Sequence, residues 1–343
     1  MPTIYDVAAD FRAALVARDA AAAARIVEAY GLAYRRIERD LAAITARIAA
    51  AQAAGEPLGV SWAFQQMRLT NLRATVASEI RRFAVVVADE VLASQATNVR
   101  VAVAEARTLA MLAVEETTPG LVATFLDPDP RSLESLVGFL SDGSPLRDLL
   151  DELPAHAVRS VEGALVEAVS TGRNPRETAL RMRRALGGNV NRALTIARTE
   201  SLRAYRETTR ETYAANGDVV RGWVWHSARD SRTCSVCWAM HGSEFENREP
   251  LGSHPNCRCA LVPKTATWEE LGVEGLPDTT PRVEPGPAAF ARLPKTTQKR
   301  ILGPGKFALY EAGEIDLPDL VRKTDDPRWG PSRSERPLRA LRR

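Results

Sequence analysis

Cysteine is missing from almost the whole of this 343-residue chain; all four lie between residues 234 and 259. A disulfide scaffold would spread them more widely. Long apolar runs are missing too: the run around AVVVA at 84–88, like every other, is far too short to cross a bilayer. The first residues, MPTIYDVAADFRAALVARDAA, contain no apolar core of the kind a signal peptide needs, so a cytoplasmic setting with reduced thiols is expected. Neither sign of charge dominates. With 46 Lys and Arg against 43 Asp and Glu, the net charge of +3 does not by itself imply a nucleic-acid partner. The chain has no GxxxxGK[ST] loop, no GxGxxG, no GxSxG and no HExxH, which removes the common nucleotide, hydrolase and metalloprotease signatures. What remains is a globular composition, 45% hydrophobic and 26% charged, long enough for two domains.

Helical periodicity dominates. In 3–54, Ile26, Tyr30, Leu32, Ile37, Leu41, Ile44 and Ile48 form one stripe, ended by Gly55 and Pro57, with Asp19 able to begin a second helix within the span. A second pattern runs from Trp62 to Glu116 through Leu69, Leu72, Val76, Ile80, Phe83, Val87 and Val91 and stops at Pro119-Gly120. The two predict an antiparallel hairpin, an arm over 1–118. Residues 119–153, rich in Pro, Asp, Gly and Ser, read as a linker with short helices. A compact module follows over 154–265. Pro154 opens a helix ending near Gly172. Asn174-Pro175-Arg176-Glu177 caps the next, which ends at Gly187-Gly188, and Asn189 caps a third that reaches Gly217. VVRGWVWHS at 219–227 then turns to strand composition, and CALVPKT at 259–265 reads as a closing strand. Four of the six tryptophans fall within 223–268, which predicts an aromatic-walled β unit around the cysteines. Residues 266–343 form a tail of short helices with an extended basic end. Its 322–343 segment holds eight Lys or Arg against three Asp or Glu, a candidate DNA contact. The predicted fold is mostly α, with a small α+β module.

Cys234-x-x-Cys237 has the spacing of a thiolate knuckle, in which a tight turn aims two sulfurs at one ion. His254-Pro255-Asn256-Cys257-Arg258-Cys259 then offers three donors where two are needed. Cys257 and Cys259, at i and i+2, share a face of a strand, and His254 and Cys257 can share a turn. Two ligand sets stay open: the four cysteines, or Cys234, Cys237 and His254 with one of the last two. A structural zinc ion is the expected occupant, because a β unit with little core gains most from such a staple. A thioredoxin-like pair would need its CxxC at a helix start within a βαβ unit. Asp230, His241, Glu244 and Glu246 lie near in sequence but at no recognised catalytic spacing, and His156 and His226 read as ordinary packed or surface residues. No catalytic or cofactor-binding residue is assigned. Asp230 is placed to accept backbone N–H groups of the knuckle, with Arg232 or Arg258 to balance the thiolate charge.

The order of these features resembles the phage Mu F-like minor head proteins, the phage head morphogenesis family. The resemblance rests on four elements: Ala197-Arg198-Thr199-Glu200 on a helix, Trp223-x-Trp225, Asp230-Ser231-Arg232-Thr233-Cys234-x-x-Cys237 with Gly242 after it, and the HPNCRC ending at 254–259. It covers about residues 150–265. It implies a non-enzymatic virion component made in the host cytoplasm, associated with the portal protein in few copies and acting in head assembly or DNA delivery. Major capsid or scaffolding protein, and phage DNA through 322–343, are further candidate partners; no membrane is implied. By the same resemblance, Cys234, Cys237, His254, Cys257 and Cys259 form the family's metal-binding region, braced by Asp230 and Arg232. The competing readings are a metal-dependent hydrolase or nuclease built on the Cys/His cluster and a DNA-binding accessory protein.

Overall fold

The computed structural model describes residues 2–171, 173–326 and 330–342. The fold is mostly α with a small α+β module. It divides into two compact units that take discontinuous pieces of the chain: 19–94 with 145–198, and 1–18 with 95–144 and 199–343.

Among its described residues the first of these units has helices and turns but no strand. It contains the later part of α1 (Ile4–Ala53), α2 (Val60–Gln65), the start of α3 (Met67–Thr117), α5 (Leu146–Asp151), α6 (Leu153–Ser170) and the start of α7 (Pro175–Ala214). The predicted stripes form its interior: Ile26, Ile37, Leu41, Ile44 and Ile48 on α1, and Leu69, Leu72, Val76, Ile80 and Phe83 on α3, are all buried. Leu32 is instead half exposed. α1 and α3 run antiparallel, as Arg25–Glu90, Arg36–Glu79 and Thr75–Asp40 contacts show. Three expectations are corrected here. α1 is one helix, because Asp19 accepts a hydrogen bond from Arg198 Nε at 2.6 Å rather than capping a new start. Gln66, in extended conformation, breaks the second pattern into α2 and α3. α7 runs straight through Gly187-Gly188: Asn189 donates back to the Ala185 and Leu186 carbonyls and meets His156 at 2.8 Å, inside one helix. Buried Met182 and Leu186 supply packing that offsets about 1 kcal/mol per helical glycine. The predicted cap at Asn174 is present, accepting from Glu177 N at 2.8 Å. Gly172, named above as a helix end, lies outside the described residues.

The second unit joins the remaining helical segments to a three-stranded antiparallel sheet of order β2-β1-β3, with β1 at Val220–His226, β2 at Glu244–Glu246 and β3 at Ala260–Thr265. Trp223 pairs with Phe245 and Pro263, and Trp225 with Leu261. Trp223 stacks on Phe245 with centroids 4.4 Å apart. Gly222 is required there, since a Cβ would overlap the Phe245 carbonyl oxygen. α4 (Pro130–Glu134) lies in the strap at 119–144, which is pinned where Leu126 exchanges two hydrogen bonds with Asn216. α8 (Ser235–Met240) follows β1 and has two faces. Cys237 joins a core with Trp223, Trp225, Tyr213 and Leu261. Trp238 and Ala239 join another with Phe290, Leu302, Phe307 and Leu320. The latter come from α9 (Gly286–Ala291), from α10 (Lys295–Glu311, broken at Gly303-Pro304) and from a short turn of helix at Leu317–Leu320. The tail's end is not a free extended segment: β4 (Val321–Asp326) and β5 (Gly330–Glu335) form an antiparallel hairpin.

Candidate metal centre

Cys234 sits at the N-terminal end of α8, where its carbonyl accepts from Trp238 N at 3.0 Å, and Cys237 lies one turn on. The CxxC therefore does open a helix, but β1 runs antiparallel to β3 and there is no βαβ unit around it. The second half is shaped by Pro255-Asn256. Asn256 has φ +62°, in the left-handed region that Asn tolerates better than most residues, and the turn closes with Cys257 N donating to His254 O at 3.2 Å. This turn brings the His254 ring and the Cys257 thiol to α8. Cys257 and Cys259 precede β3 rather than lying in it.

All five predicted donors meet in two overlapping groups: Cys234, Cys237 and His254, and Cys237, Cys257 and Cys259, each with its ligand atoms within 4.8 Å of one another. His254 Nε2 lies 3.2 Å from Cys234 Sγ and 3.3 Å from Cys237 Sγ, while Cys237 Sγ is 3.7 Å from Cys257 Sγ. No cysteine is in a disulfide, and Cys237, Cys257 and Cys259 are buried. His254 Nδ1 is 2.8 Å from the Pro255 carbonyl. A carbonyl only accepts, so Nδ1 keeps its proton and Nε2 is the ring nitrogen that faces the sulfurs, the orientation of a histidine that ligates a metal once Nε2 gives up its own proton.

The electrostatics are those of donors crowded in a small volume. Contact with Cys237 lowers the Cys234 thiol to about 5 and takes Cys257 well below its ordinary range. The reciprocal contact with Cys234 holds Cys237 high, and burial does the same for Cys259. For His254, burial disfavours the charged ring, but the Cys234 and Cys257 sulfurs overturn this and push it up to about 11. The donor set fits a soft cation such as Zn²⁺, which would satisfy several thiolates at once.

Two arginines organise the shell. Buried Arg206 on α7 donates through Nε to the Cys259 carbonyl at 2.9 Å, through Nη2 to the Cys257 carbonyl, and through Nη1 to Ser253 Oγ at 3.0 Å. Arg258 forks onto Asp230 with both distances near 3 Å, at 2.8 and 3.0 Å. Asp230 also accepts from Arg232 N and from Thr233 Oγ1, forming the expected turn. Arg232 itself is largely exposed and only 3.7 Å from Asp230, so Arg258 is the main partner. On the RTE helix it is Thr199 that reaches the loop, accepting from Asn256 N at 3.2 Å, while buried Glu200 pairs with Arg203. Arg206 went unnoticed in the sequence, although it lies one helical repeat beyond that motif.

The other histidines face elsewhere. His226 Nδ1 lies 2.9 Å from Arg12 Nη1, and His241 Nδ1 accepts from Ser227 N at 3.0 Å. Both partners can only donate, so both rings are neutral with the proton on Nε2. The nearby carboxylates are likewise engaged, Glu244 with Lys264 and Glu246 with Arg248.

Residues 159–262 match the family of phage Mu protein F-like proteins. This segment is similar to phage Mu F-like proteins. The match spans α6 from Arg159, all of α7, the sheet through Val262 and every donor of the cluster. The Mu F-like family points to a phage head morphogenesis protein and a place in the virion. No curated protein and no solved structure matches the chain. No described helix is long and apolar enough to cross a membrane.

Proposed function

We propose that this chain is a minor head component that docks on the portal during head assembly, with its Mu F-like module stapled by one structural Zn²⁺. The ligands are Cys234, Cys237, His254 and Cys257, a Cys₃His set, with Cys259 the alternative fourth donor. The observation that carries the metal reading is His254: its Nδ1 proton is tied to a carbonyl and its Nε2 points at two thiols within the family-matched segment. The role is structural rather than catalytic, and the engagement of Asp230, Glu244 and Glu246 in ion pairs supports this, since a hydrolase would need a free carboxylate at the metal.

Metal analysis of protein purified under reducing conditions tests the staple. About one zinc per chain is expected, lost in Cys234→Ala; less than about half an equivalent, with no dependence on Cys234, contradicts it. Co-expression with the portal protein of the same phage tests the assembly role. The two should co-purify as a complex on size exclusion, and separate elution at micromolar concentrations of both contradicts portal docking.

A further inference from the structure

The terminal hairpin carries two side chains that reach the two halves of the cysteine cluster from one strand. Arg333 on β5 is buried and donates through Nη1 to the carbonyls of Leu251, at 2.6 Å, and Gly252, at 3.2 Å. These residues lead directly into His254. The same guanidinium lies over the rings of Trp225 and Phe245, 5.5 and 5.0 Å from their centroids. Two residues on, Glu335 accepts from Ser235 Oγ at 2.6 Å and pairs with Lys306 at 3.0 Å. Ser235 directly follows Cys234. Residues i and i+2 share a strand face, so one short segment grips the CxxC turn and the His254 loop together.

The loop is shaped to receive the hairpin. Gly252 has φ +51°, and a Cβ there would come within 2.7 Å of Arg333 Nη1 and 3.1 Å of the Pro331 carbonyl oxygen. A side chain at 252 would be strained at this φ and would force the Arg333 guanidinium and the Pro331 carbonyl to shift. The grip is therefore matched on both sides, at the arginine and at the glycine that admits it.

We infer that β5 is a clamp on the metal centre, with Arg333 and Glu335 as positioning residues that hold its two halves in register. The inference rests on the zinc reading above for its metal, but not for its geometry. The consequence is kinetic. An ion held by two loop segments leaves when one segment swings away, and the clamp keeps them together. Groups that hydrogen-bond a metal ligand are worth about 10- to 100-fold in metal affinity, and the clamp acts on the segments that carry the ligands.

The test is zinc transfer from full-length protein to a chromophoric chelator, followed by absorbance. Arg333→Ala should release zinc about 10-fold faster than the unaltered protein. Arg333→Lys, which keeps the charge but not the planar guanidinium that lies over Trp225 and Phe245, should fall close to Arg333→Ala, and Glu335→Gln should show a smaller acceleration. Arg339→Ala, a change of the same charge elsewhere in the tail, should have no effect. Circular dichroism confirms that each variant is folded. Should Arg333→Ala unfold, Arg333→Lys and Gly252→Ala carry the comparison. Release rates equal to that of the unaltered protein in folded Arg333→Lys, Glu335→Gln and Gly252→Ala overturn the clamp while leaving the staple intact. If the unaltered protein holds no zinc, the metal reading fails instead. The clamp is then read from alkylation of Cys237 by iodoacetamide, which Arg333→Lys should accelerate; an unchanged rate overturns it.

Discussion

The helical unit of 19–94 and 145–198 and the small β unit around Trp223 exclude water by different means. In the first, long helices place an aliphatic residue inward at every turn, and Ile26, Ile37, Ile44, Leu72, Val76 and Ile80 are fully covered. No cross-link is needed, because each added turn extends the same stripe. In the second, β2 has three residues and β3 six, too little to enclose a core. Its interior is completed by Trp223, Trp225 and the thiols of Cys237, Cys257 and Cys259. α3 shows the change within one helix: from Leu69 to Val91 the buried side chains are apolar except Glu79, which is paired with Arg36 and Arg82, whereas further on Gln95 and Asn98 are buried and bonded to the Gly138 amide and the Ser201 carbonyl. Long elements stabilise themselves through repetition; short ones depend on specific bonds.

Breaking those bonds should affect the β unit far more than an equal insult to the helices. The largest effect is expected from Cys237→Ala, since Cys237 belongs to both donor groups. Hydrogen exchange should show protection lost across 220–265, with bound zinc gone and Ile26–Ile48 still protected, because binding energy at such a site is folding energy. Ile37→Ala should cost about 2–5 kcal/mol in denaturant unfolding and leave zinc content unchanged. Arg206→Ala should cost roughly 2 kcal/mol, for it strands two buried carbonyls. It should also loosen zinc where Ile37→Ala does not.

Acid sharpens the contrast. Burial, reinforced by the charge of Arg12, holds His226 down to about 3, and burial holds His241 down to about 4. A histidine titrates near 6.5 when unfolded, so below that pH the unfolded chain takes up protons that the folded one refuses. Stability is therefore intact above about pH 6.5 and falls as the pH drops toward 4. His226→Gln should flatten part of that fall, read as thermal midpoint against pH. The smallest effect should come from the helical unit's surface: Arg183→Ala removes an exposed pair with Glu38 and should change stability by less than about 1 kcal/mol.

Much of this architecture was readable from residue order. The stripes of α1 and α3, the cap at Asn174, the strands near 219–227 and 259–265 and the clustering of the four cysteines with His254 all follow from spacing within a few residues. The misreadings have a common cause. Gly187-Gly188 looked like a helix end because glycine weakens a helix locally, yet packing of Met182 and Leu186 carries α7 through. Asp19 looked like a cap, but a partner at Arg198 claimed it. The end of the tail read as an extended basic segment, whereas Arg333 is buried between two aromatic rings and the Leu251 carbonyl.

The sequence by itself determined which residues could gather round an ion and which helical faces would turn inward, because both depend on short repeats along the chain. Only the tertiary structure decided what braces the gathering. Arg206 reaches a carbonyl 51 residues away and Arg333 one 82 residues away, and Asp230 takes Arg258 rather than its neighbour Arg232. A guanidinium can satisfy any carbonyl or carboxylate that folding brings within reach. Its partner is therefore set by how the sheet, α7 and the terminal hairpin pack, not by any pattern next to it in the chain.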